Sequence, residues 1–360
     1  MHVGLIVDQE RLAHEGALVG RLVTAFLDRG MRVTRFLPRE APEPDPPVDA
    51  LRVDVNFDSA LWMHGHRARA LAHAIDRTIP DVLFAIGRSA WAVGMQLAAE
   101  IERPVALDVW SAALARVVPR GRNAHHVGAY VAPTHALARV LETRVDPALV
   151  AFVPPGVVLP PPPAPRSSRI ALQSLAAIGS GRNLDWYSSL LRGLARMVTD
   201  VPALQIALEL RGPREHDVWR EAHRLELLHN ISAIRDAAPL RDLITQCDVL
   251  VIAEPIGAMR SVILEALAHG MAVVAARDDE LGLIDEHIGW IVESPDADRW
   301  TTALEATVES PERAWKRGLE ARSRVAEQHR PVHQAGALES VFERMIGGES
   351  LAFEPNSTGS

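Results

Sequence analysis

The sequence predicts an α/β protein made of two doubly wound, parallel-sheet domains. Short β-rich runs alternate with helical runs of about 10–15 residues, the mark of repeated βαβ units. The alternation halts at a proline-rich stretch, LPPPPAPRSSR at 159–169, and then restarts. The chain has 360 residues, 48% of them hydrophobic, which is too long for one core of ordinary size and suits two.

In the first half, HVGLIV (2–7) is a short buried-type strand, and DQERLAHEGALVG reads as a loop leading into the helical pattern LVGRLVTAFLDRG, stopped by Gly30. MRVTRFLP and LRVDVNF are strands on either side of the proline-rich loop APEPDPPVD. HRARALAHAIDRTI is helical, DVLFAIG a strand, SAWAVGMQLAAEI a helix and PVALDVW a strand. HHVGAYVAP and THALARVLETR repeat strand, turn and helix, and LVAFVPPGV closes the half. Proline as dense as that of 159–169 cannot join a sheet or a helix interior, so this stretch is expected to be an extended linker.

The second half runs RIALQSLAAI (strand), LDWYSSLLRGLARMV (helix), ALQIALELRG (strand), DVWREAHRLELLH (helix) and NISAI (strand). PLRDLITQ (helix), CDVLVIA, MAVVAA and GWIVES (strands) follow, and two helical stretches close the body. The expected organisation is a first domain at 1–158, the linker at 159–169, a second domain at 170–327, a helix near 328–347 that packs back on the first domain, and a disordered tail at 348–360.

Composition narrows the function. The formal net charge is −8 and no basic run tracks along the chain, which argues against nucleic acid as a partner. A single cysteine, Cys247, forbids an internal disulfide framework and suits a reducing compartment. The opening MHVGLIVDQERL lacks a charged segment before its apolar run and reads as a strand, not a signal peptide. No run approaches the roughly 20 apolar residues of a membrane span. A cytoplasmic protein is expected, with docking to a membrane surface or to a protein partner left open. Lys316 is the only lysine, so arginine stands where other sequences would use either cation.

Ligands of open α/β sheets gather at the carboxyl ends of the strands. One such place is EPIGAMRSVILEALAHG (254–270), where a loop with Gly257 enters an apolar helix carrying a lone acid, Glu265. Another is Gly179-Ser180-Gly181, a glycine-rich turn after a strand and a candidate phosphate-facing loop. Other constellations have plainer readings. His64, His66 and His73 lack convergent metal ligands nearby, and Asp296 of PDADRW suits a helix N-cap better than a metal motif. No metal or resident cofactor is expected.

Three segments carry a resemblance to the retaining glycosyltransferases of family 4, with the GT-B fold. They are YVAPTHALARVLETRVDPALVAFVPPGV, PLRDLITQCDVLVIAEPIGAMRSVILEALAHGMAVVAA and ELGLIDEHIGWIVES. The second is the most diagnostic: Glu265, Ala266, Leu267, Ala268 and Gly270 match the family's Glu-Ala-(Met/Leu)-Ala-x-Gly. The resemblance implies two Rossmann-like domains facing across a cleft, and transfer of a sugar from a nucleotide-diphosphate donor, as co-substrate, to an acceptor. That acceptor is a sugar, a lipid-linked glycan, a protein or a small molecule. It implies that Glu265 holds the donor ribose, and that the loop amides, Arg260 and Ser261 at the helix start face the diphosphate.

The sequence departs from the family at several of these positions. The partner acid expected eight residues before Glu265 is replaced by Gly257; Glu254, three residues earlier, is a candidate for the sugar-contacting acid if the loop rearranges to bring it in. Of the two phosphate-clamping cations, Arg182, beside Gly181, replaces a lysine, and Ala177 stands at the arginine position. In the first domain, Trp110 stands where a histidine is common, with Asp108 two residues before it; both are candidates to line the sugar site. Gly16 and Ala17 keep the small residues of the acceptor-side loop, and the main chain near Ile234 and Arg235 is the candidate base site. These departures also admit a binding or scaffolding subunit that has lost catalysis. A third alternative is an enzyme of the same fold, such as an epimerase, that alters the nucleotide sugar itself.

Overall fold

The structure, a computed structural model, describes residues 1–41, 50–57, 64–162, 174–210, 212–235, 237–244 and 246–348. Most of the expected linker (163–169) and nearly all of the expected tail (349–360) lie outside these residues. The chain divides into two compact units, Met1–Gly156 with Pro331–Ser360, and Val157–Arg330.

The first unit is built from β1 (His2–Val7), α1 (Gln9–Asp28), β2 (Arg32–Pro38), β3 (Leu51–Val55), α2 (His64–Ala74), β4 (Val82–Ile86) and α3 (Arg88–Ile101). It continues with β5 (Val105–Asp108), α4 (Ala112–Arg116), β6 (Val127–Ala132), α5 (His135–Glu142) and β7 (Val150–Phe152). Its seven strands pair in parallel in the order β3-β2-β1-β4-β5-β6-β7. β1 and β4 are buried at every position, which is why both read as unbroken apolar runs without alternation.

The second unit holds β8 (Ser174–Ile178), α6 (Leu184–Asp200), β9 (Gln205–Glu209), α7 (Glu215–Arg224), β10 (Ile231–Ile234) and α8 (Ala237–Ile244). Then come β11 (Val249–Ile252), α9 (Ser261–Ala268), β12 (Ala272–Ala276), β13 (Trp290–Val292), α10 (Ala297–Glu309) and α11 (Pro311–Gln328). The six strands are again parallel, in the order β10-β9-β8-β11-β12-β13. Counted within the unit this is 3-2-1-4-5-6, the doubly wound dinucleotide-fold order, whose direction reverses between the first and fourth strands. The order in the first unit reverses in the same way between β1 and β4.

The last helix, α12 (Pro331–Gly347), belongs to the first unit. Phe342 is fully buried there, its ring 6.1 Å from that of Phe26 on α1 and 5.7 Å from that of Phe84 on β4. In the second unit Trp300 of α10 is fully buried, meets Trp186 of α6 edge-on at 6.2 Å, and donates from Nε1 to Ser189 Oγ at 3.1 Å. Asp296 caps α10 by accepting from the amides of Asp298 and Arg299.

One expected loop is a helix. Asp8 accepts from the Arg11 amide at 2.9 Å and so starts α1 at Gln9, and the helix runs on to Asp28 with one non-helical residue, Glu15. Gly16 and Ala17 therefore sit inside a helix, just past this kink, and not in an acceptor-side loop. The sequence reading went wrong because polar residues fill the exposed side of the first turns. Among the described residues no helix is long and apolar enough to cross a membrane, and no cluster of three or more His, Cys, Asp or Glu could hold a metal ion.

Candidate functional site

In the second unit the reversal point lies between β8 and β11, where Leu250 pairs with Ala176 and Ile252 with Ile178. Two loops leave the carboxyl ends of these strands: Gly179–Asn183, which enters α6, and Ala253–Arg260, which enters α9. Gly181, Arg182, Glu254, Gly257 and Arg260 stand on them, and Ser261 and Glu265 follow in α9.

Glu254 is 1% exposed, and its carboxylate is wrapped by the first loop. It accepts from the amide of Ser180 at 2.5 Å, the hydroxyl of Ser180 at 2.9 Å, the amide of Asn183 at 2.8 Å and, more distantly, the amide of Arg182 at 3.4 Å. A run of convergent amides at a helix start is the kind of concavity that holds an anion. Here the anion comes from the chain itself. Glu209, at the end of β9, holds the same loop from the other side by accepting from the Gly179 amide at 3.1 Å.

Arg260 meets Glu209 through both terminal nitrogens, at 2.6 and 2.8 Å; Glu209 is buried and Arg260 half-buried. Glu265 pairs with Arg241 of α8 at 3.0 Å, and the same guanidinium donates to Ser261 Oγ at 2.9 Å. Every residue of α9 is buried, so Glu265 does not belong to a solvent-facing strip. Arg260 holds the cap position of this helix without a side-chain capping hydrogen bond, and Ser261 is its first residue. Gly257 takes a positive φ of 59° and donates its amide to Asp278 Oδ2 at 2.7 Å, fixing the turn that directs the chain into α9. Asp278 also accepts from the Leu281 amide, and its carboxylate is the one charged group lining an otherwise apolar pocket beside Ile256 and Ile263.

Two of the expected donor-binding residues stand apart from these pairs. The Arg182 side chain is exposed and has no partner among the described residues, while Gly181 beside it is buried. Arg235 is exposed and pairs with Glu215 at the start of α7, with Nε at 3.0 Å. The second unit thus gathers Gly181, Arg182, Glu254, Gly257, Arg260, Ser261 and Glu265 at the carboxyl end of its sheet.

Asp108 and Trp110 belong to the first unit, at the end of β5. Arg11 of α1 lies over the Trp110 ring at 4.3 Å, with Asp108 at 3.8 Å and Glu15 at 3.6 Å. Burial pushes the Asp108 carboxyl up to about 6; Arg11 opposes the shift, and Glu15 and Asp8 add to it. At this unit's own reversal point Asp8 accepts from the Ser89 amide at 3.0 Å, tying the end of β1 to the start of α3.

Sequence reasoning missed Glu209, Arg241 and Asp278. The signal for Glu209 was a carboxylate ending the apolar run ALQIALE, since an acid on a buried strand requires a partner. Arg241 and Asp278 gave no comparable sign, because each sits directly beside a residue of opposite charge, Asp242 and Arg277.

Comparison with known proteins places the fold. Residues 173–310 match the family described as Glycosyl transferases group 1. Among solved structures, sucrose-phosphate synthase from Thermosynechococcus elongatus superposes with a TM-score of 0.74 at 15% identity, covering 97% of this chain and 100% of that one. A glycosyltransferase from Rickettsia africae gives 0.71 at 15% identity, covering 96% and 98%. HepE of Anabaena, solved in complex with UDP, gives 0.71 at 13% identity, covering 95% and 100%. The fold is that of the GT-B glycosyltransferases. No curated protein matches the chain in sequence.

Proposed function

We propose that the protein is a glycosyltransferase that moves a sugar from a nucleotide-diphosphate donor to an acceptor. The observation that carries this is the match of residues 173–310 to Glycosyl transferases group 1, because it spans Arg182, Glu254, Arg260 and Glu265, which stand on the loops and the helix that follow the reversal-point strands of one sheet. That HepE of Anabaena was solved with UDP supports a nucleotide donor. In this reading Glu265 accepts from the ribose hydroxyls, as a carboxylate of acceptor-only oxygens can. Arg182 and the start of α9 attract the diphosphate, and stabilising that leaving group is the main catalytic task. The family-4 resemblance favours transfer with retention, without a metal, in the cytoplasm. Asp108 and Trp110 are the candidates for the sugar- or acceptor-contacting groups.

A second reading has a specific observation behind it. Arg260 is taken by Glu209, and the loop amides are taken by Glu254. A site whose cation and anion hole are satisfied internally also suits a non-catalytic binding subunit of the same fold.

Calorimetric titration with UDP-, GDP- and ADP-sugars separates the two. One nucleotide is expected to bind at micromolar strength, with binding lost in Arg182→Ala and weakened at least tenfold in Glu265→Gln. If the intact protein binds none of them, the transferase reading fails and the binding-subunit reading stands.

A further inference from the structure

We propose that Glu254 is a specificity-determining residue: an internal anion that competes with the donor's phosphate for the amides of the loop after β8. The inference deepens the transferase reading and rests on it for the identity of the ligand. The loop supplies four donors to one carboxylate, from the amides of Ser180, Arg182 and Asn183 and the hydroxyl of Ser180. Three of these contacts fall between 2.5 and 2.9 Å, the range of charge-assisted hydrogen bonds. A phosphate oxygen would seek the same donors, and both anions cannot occupy them together.

A second observation points to exchange at this position. The side chain of Tyr187, on the first turn of α6, is fully buried, and its hydroxyl has no hydrogen-bond acceptor among the described residues. The hydroxyl is aimed under the loop: a Cβ built on Gly179 would fall 2.4 Å from it and 3.1 Å from Glu254 Oε1. Burial raises the phenol's pKa well above its ordinary value, and the charges of Glu254 and Glu209 raise it further. Arg260 and the nearby Gly181 backbone oppose the shift only in part. The group therefore remains a proton donor throughout the physiological range. A buried hydroxyl without an acceptor is costly, and a carboxylate that leaves the loop amides has this donor within reach.

The charge balance explains why the competition discriminates. Glu209 and Glu254 bring two negative charges against the loop, and Arg260 returns one positive charge. The exposed Arg182 side chain on the same loop is left to attract an incoming phosphate, but at the amides the phosphate meets the Glu254 carboxylate until it withdraws. Ligands with enough binding energy elsewhere, such as a nucleotide held at its base and ribose, can displace the carboxylate. Free phosphate and pyrophosphate cannot. Glu254 thus selects for the whole nucleotide against its inorganic fragment.

The test is calorimetric titration of inorganic pyrophosphate and of UDP into the intact protein and into Glu254→Ser, Glu254→Gln and Tyr187→Phe, with folding checked by circular dichroism and urea unfolding. Glu254→Ser and Glu254→Gln are expected to bind pyrophosphate at least tenfold more tightly than the intact protein. Glu254→Gln keeps an oxygen acceptor for the loop, so it answers the question even if the serine variant does not fold. Tyr187→Phe, which removes a buried hydroxyl without an acceptor and should not lower stability, is expected to weaken UDP or pyrophosphate binding several-fold. A folded Glu254→Gln that binds pyrophosphate no better than the intact protein overturns the proposal and makes Glu254 a structural clamp only. The transferase reading is judged separately, by UDP binding to the intact protein. UDP binding with no gain in the Glu254 variants sinks the competition alone. Pyrophosphate gain with no UDP binding anywhere sinks the nucleotide donor alone.

Discussion

Glu254 and Ser180 are 74 residues apart in sequence, and the carboxylate of one accepts the amide hydrogen of the other at 2.5 Å. The first unit repeats the device: Asp8 accepts from the amide of Ser89, 81 residues away, at 3.0 Å. In both units a carboxylate at the end of one reversal-point strand holds the chain that follows the other. Open sheets of this order generally have a crevice at that point, toward which helix N-termini are directed. Filling it with an internal anion stabilises the fold, but it also occupies the position where such folds bind phosphate.

Gly87 tests how tightly the first of these junctions is built. Its φ is 106°, and a Cβ at this position would lie 2.3 Å from the Asp8 carboxylate. Gly87→Ala is therefore expected to destabilise the protein by about 2–4 kcal/mol, from backbone strain together with loss of the Asp8 to Ser89 bond. Urea unfolding measures this. A change below about 0.5 kcal/mol would show that the junction bears no strain.

The pair of Glu209 and Arg260 makes a second prediction. Arg260→Ala leaves the Glu209 carboxylate, 3% exposed, without its cation, and is expected to cost about 3–5 kcal/mol. Glu209→Gln combined with Arg260→Met removes both charges and should recover most of that loss. Denaturant unfolding of the two variants decides the matter. Equal losses would mean that the ion pair itself, and not the stranded charge, carries the energy.

The strand and helix alternation was legible in the sequence because it rests on local patterns. β1 and β4 are buried along their full length and read as apolar runs, and Asp296 sits where an N-cap is needed. The reversal-point loops were also legible, since glycine and proline mark them. The charge partners were not. Arg260 finds Glu209 51 residues away, and Gly257 finds Asp278 21 residues away, through pairings that only the sheet order creates. The same blindness hid that the Glu254 oxygens accept from the loop after the neighbouring strand. At α1 the failure was of another kind: a kink at Glu15 and a polar first turn disguised a helix as a loop.

Packing of α12 gives a third prediction. Phe342 is fully buried between Phe26 and Phe84. Phe342→Ala removes a large aromatic side chain from the first unit's core and is expected to cost about 3–5 kcal/mol. Phe342→Leu, which keeps most of the volume, should cost less than half as much. Thermal unfolding of the two variants checks the order, and similar losses in both would place the energy in the ring contacts, not in volume.

Asp108 yields a prediction in pH. Its folded carboxyl is raised to about 6, against about 3.9 for an unperturbed aspartate in the unfolded chain. A group whose folded pKa is raised binds its proton more tightly in the native state, so its ionisation opposes folding. Stability is therefore expected to fall as pH rises from about 4 through about 6, and to level off above that. The side chain is 15% exposed, so little of the effect is screened by water, and the full swing is of order 2–3 kcal/mol. Asp108→Asn cannot ionise and should flatten this part of the profile, gaining stability relative to the wild type near pH 7. Arg11→Met should do the reverse, since it removes the only cation that opposes the shift. Urea unfolding at half-unit steps from pH 4 to 7.5 reads all three proteins. An unchanged slope in Asp108→Asn would mean that the buried cluster of Asp8, Arg11, Glu15 and Asp108 carries its excess negative charge without cost to the fold.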